Sequence, residues 1–303
     1  MAGDEGQGQP AGHGGGAVVV DCALSPVVMD PRFGPVRLPR KSPVGRGPRY
    51  ERQLDRTTLL YDLFREENGE TALAAGPALP RHFPGGEGIR IICAECGQDC
   101  EREWRPGPNV HGDLFRIALH PHTSGVLVAF GGQVAARAVQ PNLSGLLAGR
   151  RVLLSRAMND DLTWLADRAW FHAFHHGFDA VIHYDNGSTA YTREDVARAL
   201  QAVPGIETAL VVDWPFNMWP RAAQDWPDYD EVWGENAIIN HALHRFLRQA
   251  ECVFWGDTDE LLIQRGEQSL GDLLADPDPL WHLLFSQDVV VVGAPLEGPG
   301  RFR

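Results

Sequence analysis

From Arg151 onward the chain alternates short apolar runs with amphipathic stretches, and that alternation constrains the fold more than any other feature. Val152-Leu153-Leu154-Ser155 reads as a strand. Asp160 or Asp161 can then cap a helix reaching about His176, with Leu162, Leu165, Ala169 and Ala173 on one face and Gly177 as its stop. Ala180 to Tyr184, Thr208 to Val212 and Cys252 to Trp255 read as three further strands. Helices over Arg193–Val203 and Glu235–Ala250 separate them, the second with Ile239, Leu243, Phe246 and Ala250 sharing a face. Such alternation demands a mostly parallel sheet with right-handed crossovers and helices on both faces, an α/β architecture of Rossmann-like type.

The chain before Arg151 follows other rules. Residues 1–55 are rich in Gly and Pro, with only Ala17-Val18-Val19-Val20 able to make a strand, and are expected to form a flexible leader. Residues 56–147 carry short apolar runs such as Gly125 to Phe130, broken by Pro84-Gly85-Gly86 and Pro106-Gly107-Pro108. That spacing predicts a small β-rich accessory domain, sandwich or barrel, ahead of a functional domain over 148–303.

Composition excludes some functions. A net charge of −13 argues against a nucleic-acid-binding surface, which needs clustered Lys and Arg. It does not exclude anionic ligands, because a bound cation can supply positive charge locally. Five cysteines, an odd number in 303 residues, do not make a disulfide framework and point to a reducing compartment. No run approaches the ~20 apolar residues of a membrane span, and the N-terminus lacks the pattern of a signal peptide. The expectation is a cytoplasmic protein without a transmembrane segment.

Three features need weighing. Cys93-Ala94-Glu95-Cys96 opens like a zinc site, but no second CxxC pair follows, and Cys100, His111, His120 or His122 can complete it only if the fold brings them near. These cysteines are therefore read as surface thiols on a hairpin. His172 and His176 stand one helical turn apart, yet no Glu separates them as in a metalloprotease helix, so a solvated helix end is expected. The stretch Trp214 to Trp226, together with Trp233, is either a stacking platform for a sugar or base, or an apolar plug against the sheet.

The polar loops that follow the strands emerge together at one edge of a parallel sheet. They are Met158-Asn159-Asp160-Asp161, Asp185-Asn186-Gly187-Ser188-Thr189 and Asp257-Thr258-Asp259-Glu260. Asp257-Thr258-Asp259 taken singly suits a turn. Carboxylates gathered from three loops repel one another unless a cation lies among them, and a metal–nucleotide site meets that need.

At this level the chain resembles the family 2-like and family 92-like glycosyltransferases. Asp185-Asn186-Gly187-Ser188 is similar to their DNxS turn and Asp257-Thr258-Asp259-Glu260 to their DxD motif, each at a strand end and in the family's order. The resemblance spans roughly Arg151 to Ile263. It implies a GT-A fold and transfer of a sugar, with inversion, from a nucleotide-diphosphate donor to a hydroxyl of a glycan or other acceptor, with Mn2+ or Mg2+ as cofactor. Carried over by position, Asn159, Asp160, Asp185, Asn186, Ser188 and Asp257 would line the nucleotide pocket. Asp257 and Asp259 would hold the metal.

The catalytic base is not assigned. Asp272, Asp276, Asp278 and Asp288 follow the motif, but none has a convincing setting. The short tail after Asp259 leaves a truncated domain or a reduced acceptor half as expectations. Two other readings stand beside the transferase. One is a catalytically degenerate nucleotide-sugar binder. The other is an aspartate-nucleophile phosphatase, against which Leu261 counts because that class places a hydroxyl residue there.

Overall fold

The computed structural model describes residues 17–33, 47–77, 88–106, 112–218 and 233–263. In chain order the elements are β1 (Val18–Cys22), β2 (Val27–Val28), α1 (Pro48–Gln53), β3 (Thr58–Leu60), β4 (Asp62–Arg65) and β5 (Thr71–Pro77). There follow β6 (Arg90–Cys93), β7 (Arg102–Pro106), β8 (Gly112–Ala118), β9 (Gly125–Phe130) and β10 (Gln133–Ala138). The alternating part comprises β11 (Arg151–Ala157), α2 (Leu162–His176), β12 (Ala180–Asp185), α3 (Arg193–Gln201), β13 (Thr208–Asp213), α4 (Trp233–Arg245) and β14 (Cys252–Trp255).

All four strands expected after Arg151 are present and join one five-stranded parallel sheet in the order β1-β13-β12-β11-β14. Their apolar runs are continuous because both faces are covered. Leu153, Val181, Ala209 and Val211 face Leu165 and Ala169 of α2 and Val196 and Leu200 of α3. Val152, Leu154, Ile182, Leu210 and Val212 face Ala237, Ile238 and Ala242 of α4. Helix ends follow local chemistry. The Asp161 carboxylate accepts the Thr163 amide at 2.8 Å, and Gly177 closes α2 at φ 66°, in the left-handed region open to glycine. Thr192 and Asp195 cap α3 reciprocally.

The strand order fixes where a ligand belongs. Succession runs one way from β11 through β12 to β13, then returns to the other side of β11 with β14. Open parallel sheets bind ligands at such a reversal, outside the carboxyl ends of the strands.

Part of the expected leader is built into this sheet. Val18–Cys22 pairs with β13 from Val18 opposite Thr208 to Cys22 opposite Val212. Its partner lies far along the chain, so local periodicity carries no trace of the pairing. Strands β4 to β10 form two antiparallel sheets, β4-β5-β8-β7 and β10-β9-β6, over a shared core that includes Leu59, Ala74, Ile91, Phe115, Val126 and Val128.

A buried polar seam ties these antiparallel strands to α4. The Asp62 carboxylate of β4 accepts from His241 Nε2 at 2.8 Å, from Arg245 at 2.7 Å and from the Ser25 amide at 2.7 Å. Tyr184 and His241 Nδ1 share a further bond of 2.7 Å. Asp62, His241, Arg245 and Tyr184 are all buried. Burial alone would raise the Asp62 carboxyl, but the His241 hydrogen bond and the Arg245 charge outweigh it and hold it below its ordinary value. Burial lowers His241, so it sits neutral, with Tyr184 O–H donating to Nδ1 and Nε2–H donating to Asp62. Among the described residues no helix is long and apolar enough to cross a membrane.

Candidate functional site

The loop after β14 is a closed turn that presents two carboxylates. The Glu260 amide donates to Asp257 O at 3.1 Å, and the Glu260 carboxylate accepts the Asp257 amide at 3.0 Å. Period-two alternation then buries Thr258 and exposes Asp257 and Asp259. The Thr258 hydroxyl donates to the Asp160 carboxylate, a bond that crosses the strand-order reversal from the β14 loop to the β11 loop. Among the described residues, neither the Asp257 nor the Asp259 carboxylate has a hydrogen-bond partner, so both are open to a ligand.

Behind the turn lies a charge that the sequence reading missed. Arg168 of α2 is fully buried, and its Nε donates to Glu260 O at 3.2 Å. Burial brings its guanidinium down to about 10, with Glu260, Asp257 and Asp259 acting in the opposite direction, so it is charged at neutral pH. Gly256 makes the approach possible, since a Cβ there would lie 2.8 Å from Glu260 Oε2 and 3.2 Å from an Arg168 nitrogen. Arg156 of β11, 3.6 Å from Glu235, is a second cation at this edge. Partial burial raises Glu235, and Asp257 and Glu260 add to the effect against Arg156. The repulsion that seemed to require a metal ion is thus partly met by the protein's own guanidinium groups.

His172 and His176 are not a solvated helix end. Both are buried, and together they grip the segment after the acidic turn. His172 Nδ1 donates to Arg168 O at 2.7 Å while its Nε2 accepts the Leu262 amide at 3.1 Å. His176 Nε2 donates to Leu262 O at 2.7 Å. Burial pushes His172 down to about 3, with the Arg168 charge contributing, so the ring is neutral. The signal was legible as polar residues on the core side of α2, where Arg168, His172 and His176 follow Leu165 at spacings of three, seven and eleven.

The β11 and β12 loops are stapled to each other. Asn159 adopts a left-handed φ of 62° and donates its amide to Ser188 Oγ at 2.9 Å. Its side-chain oxygen accepts the amides of Thr189 at 2.7 Å and Ala190 at 2.9 Å. Asn186 donates to the carbonyls of Trp214 at 2.7 Å and Phe216 at 2.8 Å, and Asp185 accepts the Ser188 amide at 3.1 Å. Asn159, Asn186 and Ser188 therefore shape the loops, while Asp160 and Asp185 supply charge beside the buried His183. Burial pushes that histidine down to about 4. Trp214 and Phe216 are buried against Tyr61 and form a plug; Trp219 and Trp226 lie outside the described residues, as do His111, Asp272, Asp276, Asp278 and Asp288.

A cavity of about 510 Å³ opens at the carboxyl ends of β1 and β13, beside the Asp185 turn rather than at the Asp257 loop. Cys22, Leu24, Asp55, Arg193, Asp213 and Phe216 line it. Exposed aspartates offer the hard oxygens that Mn2+ or Mg2+ take. Among the described residues no three carboxylate oxygens at this edge lie within 4.8 Å of one another. The donor set thus fits an ion shared between one or two carboxylates and a ligand's oxygens, not an all-protein cage. No protein-family model matches the chain, and a search of curated proteins gives no match.

Proposed function

We propose that the chain is a metal-dependent glycosyltransferase of GT-A type, moving a sugar from a nucleotide-diphosphate donor to an acceptor hydroxyl with inversion. One observation carries the reading: Asp257 and Asp259 stand exposed at the reversal of a parallel sheet, joined to Asp160 through Thr258. A diphosphate brings further negative charge to this edge. Arg168 lies buried beneath the turn, where it only partly offsets the turn's three carboxylates and does not reach the ligand. Asp257 and Asp259 would hold a divalent ion against the diphosphate, and that ion would supply Lewis-acid stabilisation of the leaving group.

The remaining parts are the protein's own. Asp185, at the end of β12, offers an acceptor to the nucleoside, and the Asn159–Ser188 bond holds its loop in place. The Arg168 and His172 contacts hold the turn and the segment behind it, so Asp257 and Asp259 are positioned before a ligand arrives. The cavity beside the Asp185 turn offers open space in which an acceptor can be seated.

The test is release of nucleoside diphosphate from UDP- and GDP-sugars with Mn2+ and a mixture of hydroxyl acceptors. Metal-dependent release, lost in Asp259→Ala, is expected. Metal-dependent binding without release would establish the degenerate binder, and neither binding nor release would overturn both. Hydrolysis of an aryl phosphate, abolished in Asp257→Asn, would establish the phosphatase.

A further inference from the structure

A second metal chemistry is built into the antiparallel strands, away from the acidic edge. Cys93 ends β6, and the next residues form a tight knuckle in which the Gly97 amide donates to Cys93 O at 2.9 Å. Gly97 takes a φ of 73°, a left-handed conformation suited to glycine. The chain then folds back on β6, with Asp99 bridging Ile92 and the Cys100 amide donating to Ile91 O at 2.7 Å. Cys93 and Cys100 are consequently buried, and only Cys96 of the three is exposed, which corrects the reading of surface thiols on a hairpin.

The fold supplies the partner that the sequence left open. A turn closed by the Thr123 amide on His120 O carries His122 to the knuckle, where His122 Nε2 lies 3.7 Å from Cys93 Sγ. One ligand atom from each of Cys93, Cys96 and His122 lies within 4.8 Å of the others. Tetrahedral zinc, with bonds of ~2.3 Å to sulfur and ~2.0 Å to nitrogen, places neighbouring ligand atoms about 3.5–3.8 Å apart. The 3.7 Å separation already has that value.

Surrounding contacts hold the three in place. Glu95 Oε1 accepts the amides of Ser124 at 2.9 Å and Gly125 at 3.2 Å, which pins the knuckle to the His122 turn. The Thr123 hydroxyl donates to Cys93 Sγ at 3.3 Å, an outer contact that favours the thiolate. The His120 ring lies nearly parallel to that of His122, at a centroid distance of 6.0 Å.

We infer that Cys93, Cys96 and His122 bind a zinc-class divalent ion that clamps the β6 knuckle to the turn before β9. Two thiolates and an imidazole select Zn2+ over the hard Mn2+ and Mg2+ suited to the Asp257 turn, so the two sites take different metals. Cys100 lies outside the group of atoms within 4.8 Å, so as the knuckle stands the fourth corner falls to water, and Cys100 takes it only by closing in. Either completes a tetrahedron.

The experiment uses the full chain purified under reducing conditions with added Zn2+, and reads metal by elemental analysis. About one zinc per chain is expected in the wild type and in Asp259→Ala. Loss of at least nine-tenths of it is expected in Cys96→Ser and in His122→Ala, whose side chains are exposed and whose circular dichroism should match the wild type. Replacement by Co2+ should give a thiolate charge-transfer band, weakened in Cys96→Ser, and its further weakening in Cys100→Ser would assign the fourth ligand to Cys100. Absence of bound Zn2+ and of that band in the wild type would overturn the inference, as would unchanged zinc content in both variants. Because Asp259→Ala retains its zinc on this account, failure here and failure of the transferase reading are separate results.

Discussion

Two clusters of acidic and basic side chains in this protein have opposite fates. At the seam between β4 and α4, Asp62 meets His241 and Arg245 in full burial, and each charge has its counterpart. At the carboxyl edge of the sheet, Asp257 and Asp259 face solvent over a turn whose charge is only partly offset from beneath by Arg168. A cluster matched internally is committed to the fold, and a cluster with outward carboxylates is available to a ligand. The comparison assigns structure to the first and binding to the second, and each assignment can be broken.

The largest expected effect is at the seam. Asp62→Ala leaves the His241 donor without its acceptor and Arg245 with the Pro141 and Ala23 carbonyls but no buried countercharge, and urea unfolding should show a loss of about 3–5 kcal/mol. A loss comparable to that of a surface substitution would show that water reaches the seam and that its assignment is wrong.

Acid should act next. His172 and His183 are buried and neutral, lowered to about 3 and about 4, whereas the unfolded chain takes up their protons near pH 6.5. Between these values the unfolded state binds more protons, so stability is complete above about pH 6.5 and falls as the pH drops toward 4. Each group contributes about 1.4 kcal/mol per pH unit in that window. Protonation of His172 Nε2 would set an N–H against the Leu262 amide, so the segment behind the acidic turn should be the first released. His172→Asn should flatten the slope by about one proton, and an unchanged slope would refute the neutral clamp.

Tyr184→Phe should cost roughly 1–3 kcal/mol by leaving His241 Nδ1 buried without a donor. At the opposite pole, Asp257→Asn should change thermal stability by no more than about 0.5 kcal/mol, because its carboxylate is exposed. A large destabilisation there would move the edge into the structural class.

What the sequence revealed divides along the line between local and distant contacts. The strands after Arg151, the Asp161 cap and the Gly177 stop were legible because each rests on residues close together in the chain, and the gathering of polar loops at one edge followed from the strand–helix alternation. Ala17 to Val20 could be read as a strand, but its place in the sheet was not legible, since Val18 pairs with Thr208. Nor was the convergence of His122 on Cys93, which depends on the β6–β9 pairing. On α2 the apolar stripe of Leu162, Leu165, Ala169 and Ala173 packs on the core as expected, but the buried face extends further, to Arg168, His172 and His176. Polar side chains at core spacing were there to be seen, but an apolar count discards them. Asn159 and Asn186, expected to line a ligand pocket, also carry hydrogen bonds to the backbone of neighbouring loops, which the sequence does not reveal.

The most direct test of the contrast is isothermal titration of UDP- and GDP-sugars into the wild type and Asp259→Ala, each with and without Mn2+. The account predicts binding that requires Mn2+ and is lost in Asp259→Ala while the melting temperature is unchanged. Absence of Mn2+-dependent binding to any nucleotide sugar, or its persistence in Asp259→Ala, would contradict it.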